Sequence, residues 1–147
     1  MQEVQFLQCC SKHYHELLAI WERSVQQTHH FLTPADIAQL KGPVLKEYFP
    51  LMENIIGLVG ADRRIRGFIG TVGTRIEMLF VDPEYFRQGA GKQLIEYAIA
   101  HYGVDSVDVN EQNEDALAFY VCMGFKVVGR SALDGQGNPF PLLHMQL

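Results

Sequence analysis

Met78–Lys92, MLFVDPEYFRQGAGK, runs from a strand through a glycine-punctuated turn into the start of a helix. Met78 to Val81 is a short apolar run suited to a buried strand, and Asp82-Pro83 ends it. Gly89 and Gly91 let the main chain come close to a ligand. Leu94, Ile95, Ala98 and Ile99 then form an apolar stripe at helical spacing, with Gln93, Glu96 and His101 off it. The first N–H groups of a helix lack internal partners and the macrodipole favours an anion there, so the segment reads either as a site for a phosphate-bearing ligand or as a tight helix entry. Spelling excludes two commoner phosphate motifs. The dinucleotide fingerprint needs glycine where Leu94 stands, and the Walker loop needs Ser or Thr where Gln93 follows Gly91-Lys92.

A second strand–helix–strand unit follows in Val107–Phe125, VDVNEQNEDALAFYVCMGF. Val107 and Val109 alternate with Asp108 and Asn110, as in a strand with one buried face. Asn113 is a good N-cap, and Glu114 and Asp115 place negative charge in the first helical turn. Ala116, Leu117, Phe119, Tyr120 and Met123 supply the apolar positions of a helix that Gly124 terminates. Around these units, Val4–Gln8, Asn54–Gly60, Ile65–Val72 and Arg75–Val81 read as strands. His15–Thr28 reads as a helix with a stripe of Leu18, Trp21 and Val25 (Leu17 beside it), and Pro34–Tyr48 as a helical region broken near Gly42-Pro43. Lys126–Leu133 and Leu142–Leu147 form a terminal hairpin around Asp134-Gly135-Gln136-Gly137-Asn138-Pro139. The expectation is one α/β domain, residues 1–147, with a mixed sheet.

Composition narrows the classes. The chain has 147 residues, of which 48% are hydrophobic, enough for a full core and too many for a disordered chain. It has no apolar run of about 18 residues, so no membrane span is expected. The segment MQEVQFLQCCSKHY lacks a basic region followed by an apolar stretch, so no secretory signal is expected and a cytoplasmic location fits. A net charge of −5 without a basic block argues against a nucleic-acid surface and suits a cationic substrate. Cys9, Cys10 and Cys122 are odd in number and form no C-x-x-C pair, which fits a reducing compartment. Adjacent cysteines do not easily point into one tetrahedral site, so no metal is expected beside His13 and His15.

With V-D-P-E-Y-F-R-Q-G-A-G-K at 81–92 and N-E-D-A-L-A-F-Y-V-C-M-G-F at 113–125, the chain resembles the GNAT superfamily of acyl-CoA-dependent N-acyltransferases over nearly its whole length. W-E-R-S-V at 21–25, T-H-H-F-L at 28–32, V-N-E-Q-N at 109–113 and G-R-S-A-L-D at 129–134 look like a small bacterial subgroup of that superfamily. The resemblance implies a mixed, mostly antiparallel sheet flanked by helices and splayed between the fourth and fifth strands. It implies an enzyme that moves an acetyl group from acetyl-CoA to a primary amine by direct attack on the thioester, with no metal. The acceptor is left open between a protein lysine or N-terminus and a small amine, and a homodimer through the terminal strands is compatible. A non-catalytic acyl-CoA-binding regulatory module on the same fold is the alternative.

Residue by residue, the resemblance assigns the main chain of Leu79, Phe80 and Val81 to the pantetheine arm. Arg87, Gln88, Gly89, Ala90, Gly91 and Lys92 fall to the pyrophosphate, and Asn113 to a side-chain contact with the cofactor. The sequence departs from the family at Phe86, where Arg or Gln is usual; Arg87 carries the charge one position later. Tyr120 stands where the family places the acid that protonates the leaving thiolate; from the stripe alone it is a core tyrosine. Asp108 and Glu77 are the candidate bases, with solvated strand carboxylates or a water relay as the other readings. Ser24, Thr28, His29 and Phe31 cluster where the family forms its acceptor wall, and Phe140-Pro141 is placed to close the other side.

Overall fold

Strands β2 (Asn54–Gly60) and β3 (Ile65–Val72) are apolar almost without interruption because helices cover both of their faces. They lie within a seven-stranded sheet of order β1-β2-β3-β4-β5-β7-β6 in the computed structural model, which describes residues 4–147. The remaining strands are β1 (Val4–Gln8), β4 (Arg75–Val81), β5 (Ser106–Asn110), β6 (Lys126–Ser131) and β7 (Leu142–Gln146). Neighbours are antiparallel except β4 and β5, which run parallel. Residues 1–3 of the expected domain lie outside the described residues.

Helices α1 (Tyr14–Thr28), α2 (Pro34–Pro43) and the single turn α3 (Phe49–Leu51) occupy one face of the sheet. Their core joins Leu17, Ile20, Trp21 and Val25 to Ile55, Ile65, Phe68 and Met78. Helices α4 (Ala90–Tyr102) and α5 (Glu114–Cys122) occupy the other face. There Leu94, Ile95, Ala98, Tyr120 and Phe125 meet Ile56, Ile69, Ile76, Val107, Val109 and Met145. Side chains buried to this degree contribute about 1.5–3 kcal/mol each, so these two clusters hold the layers together.

Three sequence expectations change. The buried face of α1 comprises Leu17, Ile20, Trp21, Ser24 and Val25, with Leu18 half-buried at its margin. The break expected near Gly42-Pro43 is a change of helix type and not a loss of helix. Pro43 ends α2, a wide π-type turn at Val44–Tyr48 follows, and α3 completes the segment. The Val44 N–H still reaches the carbonyls of Leu40 and Lys41, the wider turn takes up the proline, and Val44 and Phe49 anchor the segment in the core. In the terminal hairpin the strands stop at Ser131 and Gln146, short of the expected Leu133 and Leu147. Asp134 organises the loop instead, its Oδ1 accepting from the N–H groups of Gln136 and Asn138, both at 2.9 Å.

The sheet opens where the site is expected. β4 and β5 pair only at Arg75↔Ser106 and Ile76↔Val107, whereas β4 stays paired with β3 as far as Gly67↔Val81. Gly70 pairs with Met78 while Thr71 pairs with Ile76, so Glu77 is the extra residue of a bulge. A bulge bends its strand and raises the local twist, and here β4 leaves β5 at that residue. Beyond it, the β5-facing edge of Leu79–Val81 has no strand partner.

Candidate active site

Asp82, buried at the end of β4, fixes the start of the turn. Its carboxylate pairs with Arg23 of α1 and accepts from the Glu84 N–H at 3.2 Å. Two residues of the turn adopt left-handed backbone, Arg87 at φ 62° and Gly89 at φ 82°. Gly89 is the N-cap of α4 and no side chain caps the helix, so the N–H groups of Ala90, Gly91 and Lys92 face outward from its first turn. Such a run of left-handed and helical residues makes an anion-binding concavity, and the thirteen-residue helix adds its dipole. Arg87 makes no ion pair among the described residues, Lys92 only a 3.9 Å contact with Glu96, and Gln88 bonds the Glu84 carbonyl. A Cβ on Gly91 would lie 3.1 Å from Cζ of Phe119, so glycine there lets α4 start against α5.

Leu79 and Val81 border the same cluster that buries Tyr120, whose ring is edge-on to Phe119 and Phe125. Its hydroxyl makes no hydrogen bond among the described residues, and burial pushes its pKa well above the ordinary phenol value. The phenol therefore stays protonated at working pH, ready to donate. Asn113 is buried and caps α5, its Oδ1 accepting from the Ala116 N–H at 3.1 Å. The two readings of Asn113 coexist, because the cap fixes Oδ1 and leaves Nδ2 to face across the opening.

What Nδ2 faces is His29, 3.5 Å away at Nε2. The Thr28 hydroxyl donates to the Ser24 carbonyl at 2.8 Å and so accepts from His29 Nδ1–H, also at 2.8 Å. That assignment leaves Nε2 as the lone-pair nitrogen, aimed at the Asn113 amide. Burial, aided by His30, lowers the His29 pKa to about 4, so the ring is neutral at pH 7. Its plane lies between Phe31, at 5.3 Å, and Phe80 of β4, at 6.3 Å, and Phe31 reaches Phe140 at 5.7 Å. Thr28, His29, Phe31, Phe80, Asn113 and Phe140 thus come together across the opening, while the Ser24 side chain is buried within α1.

Glu77 and Asp108 flank the vertex of the opening, one on each diverging strand. Neither carboxylate is free. Arg75 pairs with Glu77 and lies 4.0 Å from Asp108 Oδ2, while Asp108 Oδ1 faces His144 Nδ1 at 2.6 Å. Arg75 and Glu77 also line a cavity of about 490 Å³ with Tyr48, Leu51, Met52, Val72 and Met78. Tyr48 turns a buried hydroxyl without a hydrogen-bond partner, and burial raises its pKa. Arg75, Tyr48 and His144 escaped the sequence reading. Alternation along β7 could have shown that His144 shares a face with Leu142, but not that β7 inserts beside β5. Among the described residues no group of three His, Cys, Asp or Glu could hold a metal, and no helix is long and apolar enough to cross a membrane.

Comparison with known proteins agrees with this geometry. The acetyltransferase (GNAT) domain family matches residues 19–147. The peptidyl-lysine N-acetyltransferase YjaB of Salmonella typhimurium is 40% identical over 130 residues, 88% of each chain. Its namesake from Escherichia coli K12 is 38% identical over 88% of this chain and 87% of that one. The solution structure of apo-form YjaB from Escherichia coli superposes with a TM-score of 0.86 at 34% identity, covering 98% of this chain and 97% of that one. The PaiA N-acetyltransferase of Thermoplasma acidophilum, solved in complex with coenzyme A, shares the fold with a TM-score of 0.71 at 20% identity over 99% of both chains. The chain belongs to the GNAT acetyltransferases, and it is an acyl-CoA-dependent acetyltransferase.

Proposed function

We propose that the enzyme transfers the acetyl group of acetyl-CoA directly to the side-chain amine of a lysine in a polypeptide, within a ternary complex. The observation that carries this reading is the opening between β4 and β5, with an uncapped helix start at one end and two carboxylates at its vertex. The lysine acceptor rests on the peptidyl-lysine activity in the names of the YjaB relatives. It also fits an apolar cavity edged by Glu77, which would cover a lysine stem while the ammonium group competes with Arg75 for the carboxylate.

The residues present fit acetyl-CoA. The unpartnered edge of Leu79, Phe80 and Val81 would take the pantetheine amides as a strand would, and Arg87 to Lys92 would hold the pyrophosphate. Asn113 Nδ2 would turn from His29 to the arm. Acetyl-CoA supplies the activated acyl group; every other demand falls on the chain. A lysine with a pKa of about 10.4 is mostly protonated at pH 7, so a carboxylate at the vertex, Asp108 or Glu77, must receive its proton directly or through water. Thr28, His29 and Phe31 would wall the acceptor side, with Ser24 holding Thr28 in place. Tyr120, kept protonated by burial, would give its proton to the departing thiolate.

The test is acetylation of a lysine-containing peptide by purified enzyme and acetyl-CoA, followed by mass spectrometry, with Nα-blocked, lysine-free and spermidine-type amines as competitors. Acetylation of the lysine peptide alone supports the reading. Exclusive acetylation of the small amine would remove the polypeptide acceptor and keep the transfer.

A further inference from the structure

Asp108, His144 and Ser131 lie on three adjacent strands, β5, β7 and β6, and point to the same face of the sheet. Asp108 projects away from the buried Val107 and Val109, so this is the face opposite α4 and α5. His144 Nδ1 is 2.6 Å from Asp108 Oδ1, and His144 Nε2 is 2.7 Å from Ser131 Oγ. An ionised carboxylate only accepts, so Nδ1 carries the proton and donates to Asp108. In that tautomer Nε2 holds the lone pair and accepts from the Ser131 hydroxyl. Arg75 lies 4.0 Å from Asp108 Oδ2, on the other side of the carboxylate from His144.

Local backbone builds this alignment. A bulge in β6 sets Val127 against Met145 and Gly129 against His144, leaving Val128 as the extra residue. With no side chain at Gly129, the imidazole lies across β6, its Cδ2 3.4 Å from where a Cβ would stand. The ring can then reach Ser131, two residues further on. Side-chain exposure of 37% for His144 and 33% for Asp108 keeps the cluster open to solutes. Nothing in the acetyl-transfer scheme above uses Ser131.

We propose that Ser131, His144 and Asp108 form a second reactive site, an activated serine that accepts acyl groups from thioesters and aryl esters. A hydroxyl on a base that is itself oriented by a third group is the arrangement nucleophilic catalysis requires. Ser131 Oγ bonds the acyl carbon as the C–S or C–O bond to the leaving group breaks. The serine proton passes to His144 Nε2 and from there to the departing thiolate or oxyanion. The products are O-acyl-Ser131 and a free thiol, phenol or alcohol. Water attacking that ester, with His144 again taking the proton, releases the carboxylic acid and restores the hydroxyl.

The experiment treats the full-length protein with a fluorophosphonate probe and, separately, with p-nitrophenyl acetate, and locates adducts by peptide mass spectrometry. The expected result is a single adduct at Ser131, lost in Ser131→Ala and slowed about 100-fold in His144→Gln, the usual share of a positioned base. His144→Asn provides a second deletion of the base, and thermal melts establish that each variant is folded. Tyr120→Phe should label at the wild-type rate, which separates this site from amine acetylation. No adduct at Ser131 on folded wild-type protein, or labelling indifferent to both His144 substitutions, would overturn the proposal while leaving N-acetyl transfer untouched.

Discussion

The two sides of the sheet are built differently. At β2 and β3 the sheet is covered on both faces and exposes almost no side chain, while β1 and β4 border them with one face partly open. From β5 to β7 only one face is covered, and each strand alternates or lies open. The covered side supplies rigidity and the β4 edge; the open side supplies Asp108, His144 and Ser131. Two residue pairs join them. A ligand arm can occupy the opening because so little pairing holds the sides together beyond Ile76 and Val107, while α4 and α5 span both from one face. Stability and chemistry are thus separated in space, and the seam is where they meet.

Tyr120 offers the largest test, since it sits in the core that joins the sides and yet is assigned the acid's role. Tyr120→Phe keeps the ring and removes one oxygen, so kcat for peptide acetylation should fall about 100-fold or more while acetyl-CoA affinity barely changes. Equal losses in kcat and affinity, measured by steady-state kinetics and calorimetry, would make Tyr120 a packing residue.

His29 tests whether the contact across the opening matters to the fold. Its pKa of about 4 lies below the ordinary 6.5, so the unfolded chain takes up a proton before the folded one as pH falls. The stability conferred by burying the neutral ring is therefore complete above pH 6.5, declines between pH 6.5 and 4, and is lost below. A depression of this size corresponds to roughly 2–3 kcal/mol across that window. Urea denaturation at pH 7 and pH 4.5 should show a steeper loss for wild type than for His29→Gln by about that amount. Matching slopes would mean that the ring is exposed in solution and the two sides are not bridged there.

Gly89 and Gly91 sharpen the comparison on the ligand side. Alanine at Gly89 must adopt φ 82° and costs about 1 kcal/mol, while distorting the outward N–H groups. Its acetyl-CoA affinity should fall about tenfold by calorimetry, in keeping with one or two weakened charge-assisted hydrogen bonds. Alanine at Gly91 presses on Phe119 instead, so it should lower the melting temperature more than Gly89→Ala does. The reverse ranking of melting temperatures would mean that Phe119 yields to the added methyl and that the left-handed backbone at Gly89 is the costlier constraint.

Legibility in the sequence follows the same divide. β1 to β4 appear with the expected boundaries; β2 and β3, doubly covered, leave a nearly uninterrupted apolar signal, whereas β1 and the start of β4 are read from apolar residues interleaved with polar ones. The opening followed from the resemblance, whose two motifs flank it, and not from any periodicity. The break expected near Gly42-Pro43 is only a change of helix type, because proline can be absorbed by a wider turn when buried residues hold the chain helical. Around the candidate site, the residues local in sequence were accessible: turn, cap and tyrosine. Arg75 and His144, which occupy the carboxylates, were not, since their meeting depends on the bulge at Glu77 and on β7 lying between β5 and β6.

The thiols probe the covered side alone, and no change on ligand binding is expected there. Cys9 follows β1, its N–H donating to the Ile55 carbonyl and its Sγ close under Gly57. Burial pushes its pKa up to about 12, with a lesser contribution from Glu16, against a backbone hydrogen bond at Gly57 that acts the other way. Cys10 and Cys122 are exposed. Thiolate is the reactive form, so at equal pH Cys9 should react on the order of a thousandfold more slowly than an unperturbed thiol. A disulfide-exchange reagent should therefore titrate two thiols in the folded protein and the third only after denaturant is added. Adding acetyl-CoA should leave that third thiol protected, because β4 lies two strands from β2 and three from β1, whose end carries Cys9. Exposure of Cys9 on ligand binding would mean that the covered side moves with the seam, and the rigid wall assigned to it would have to be given up.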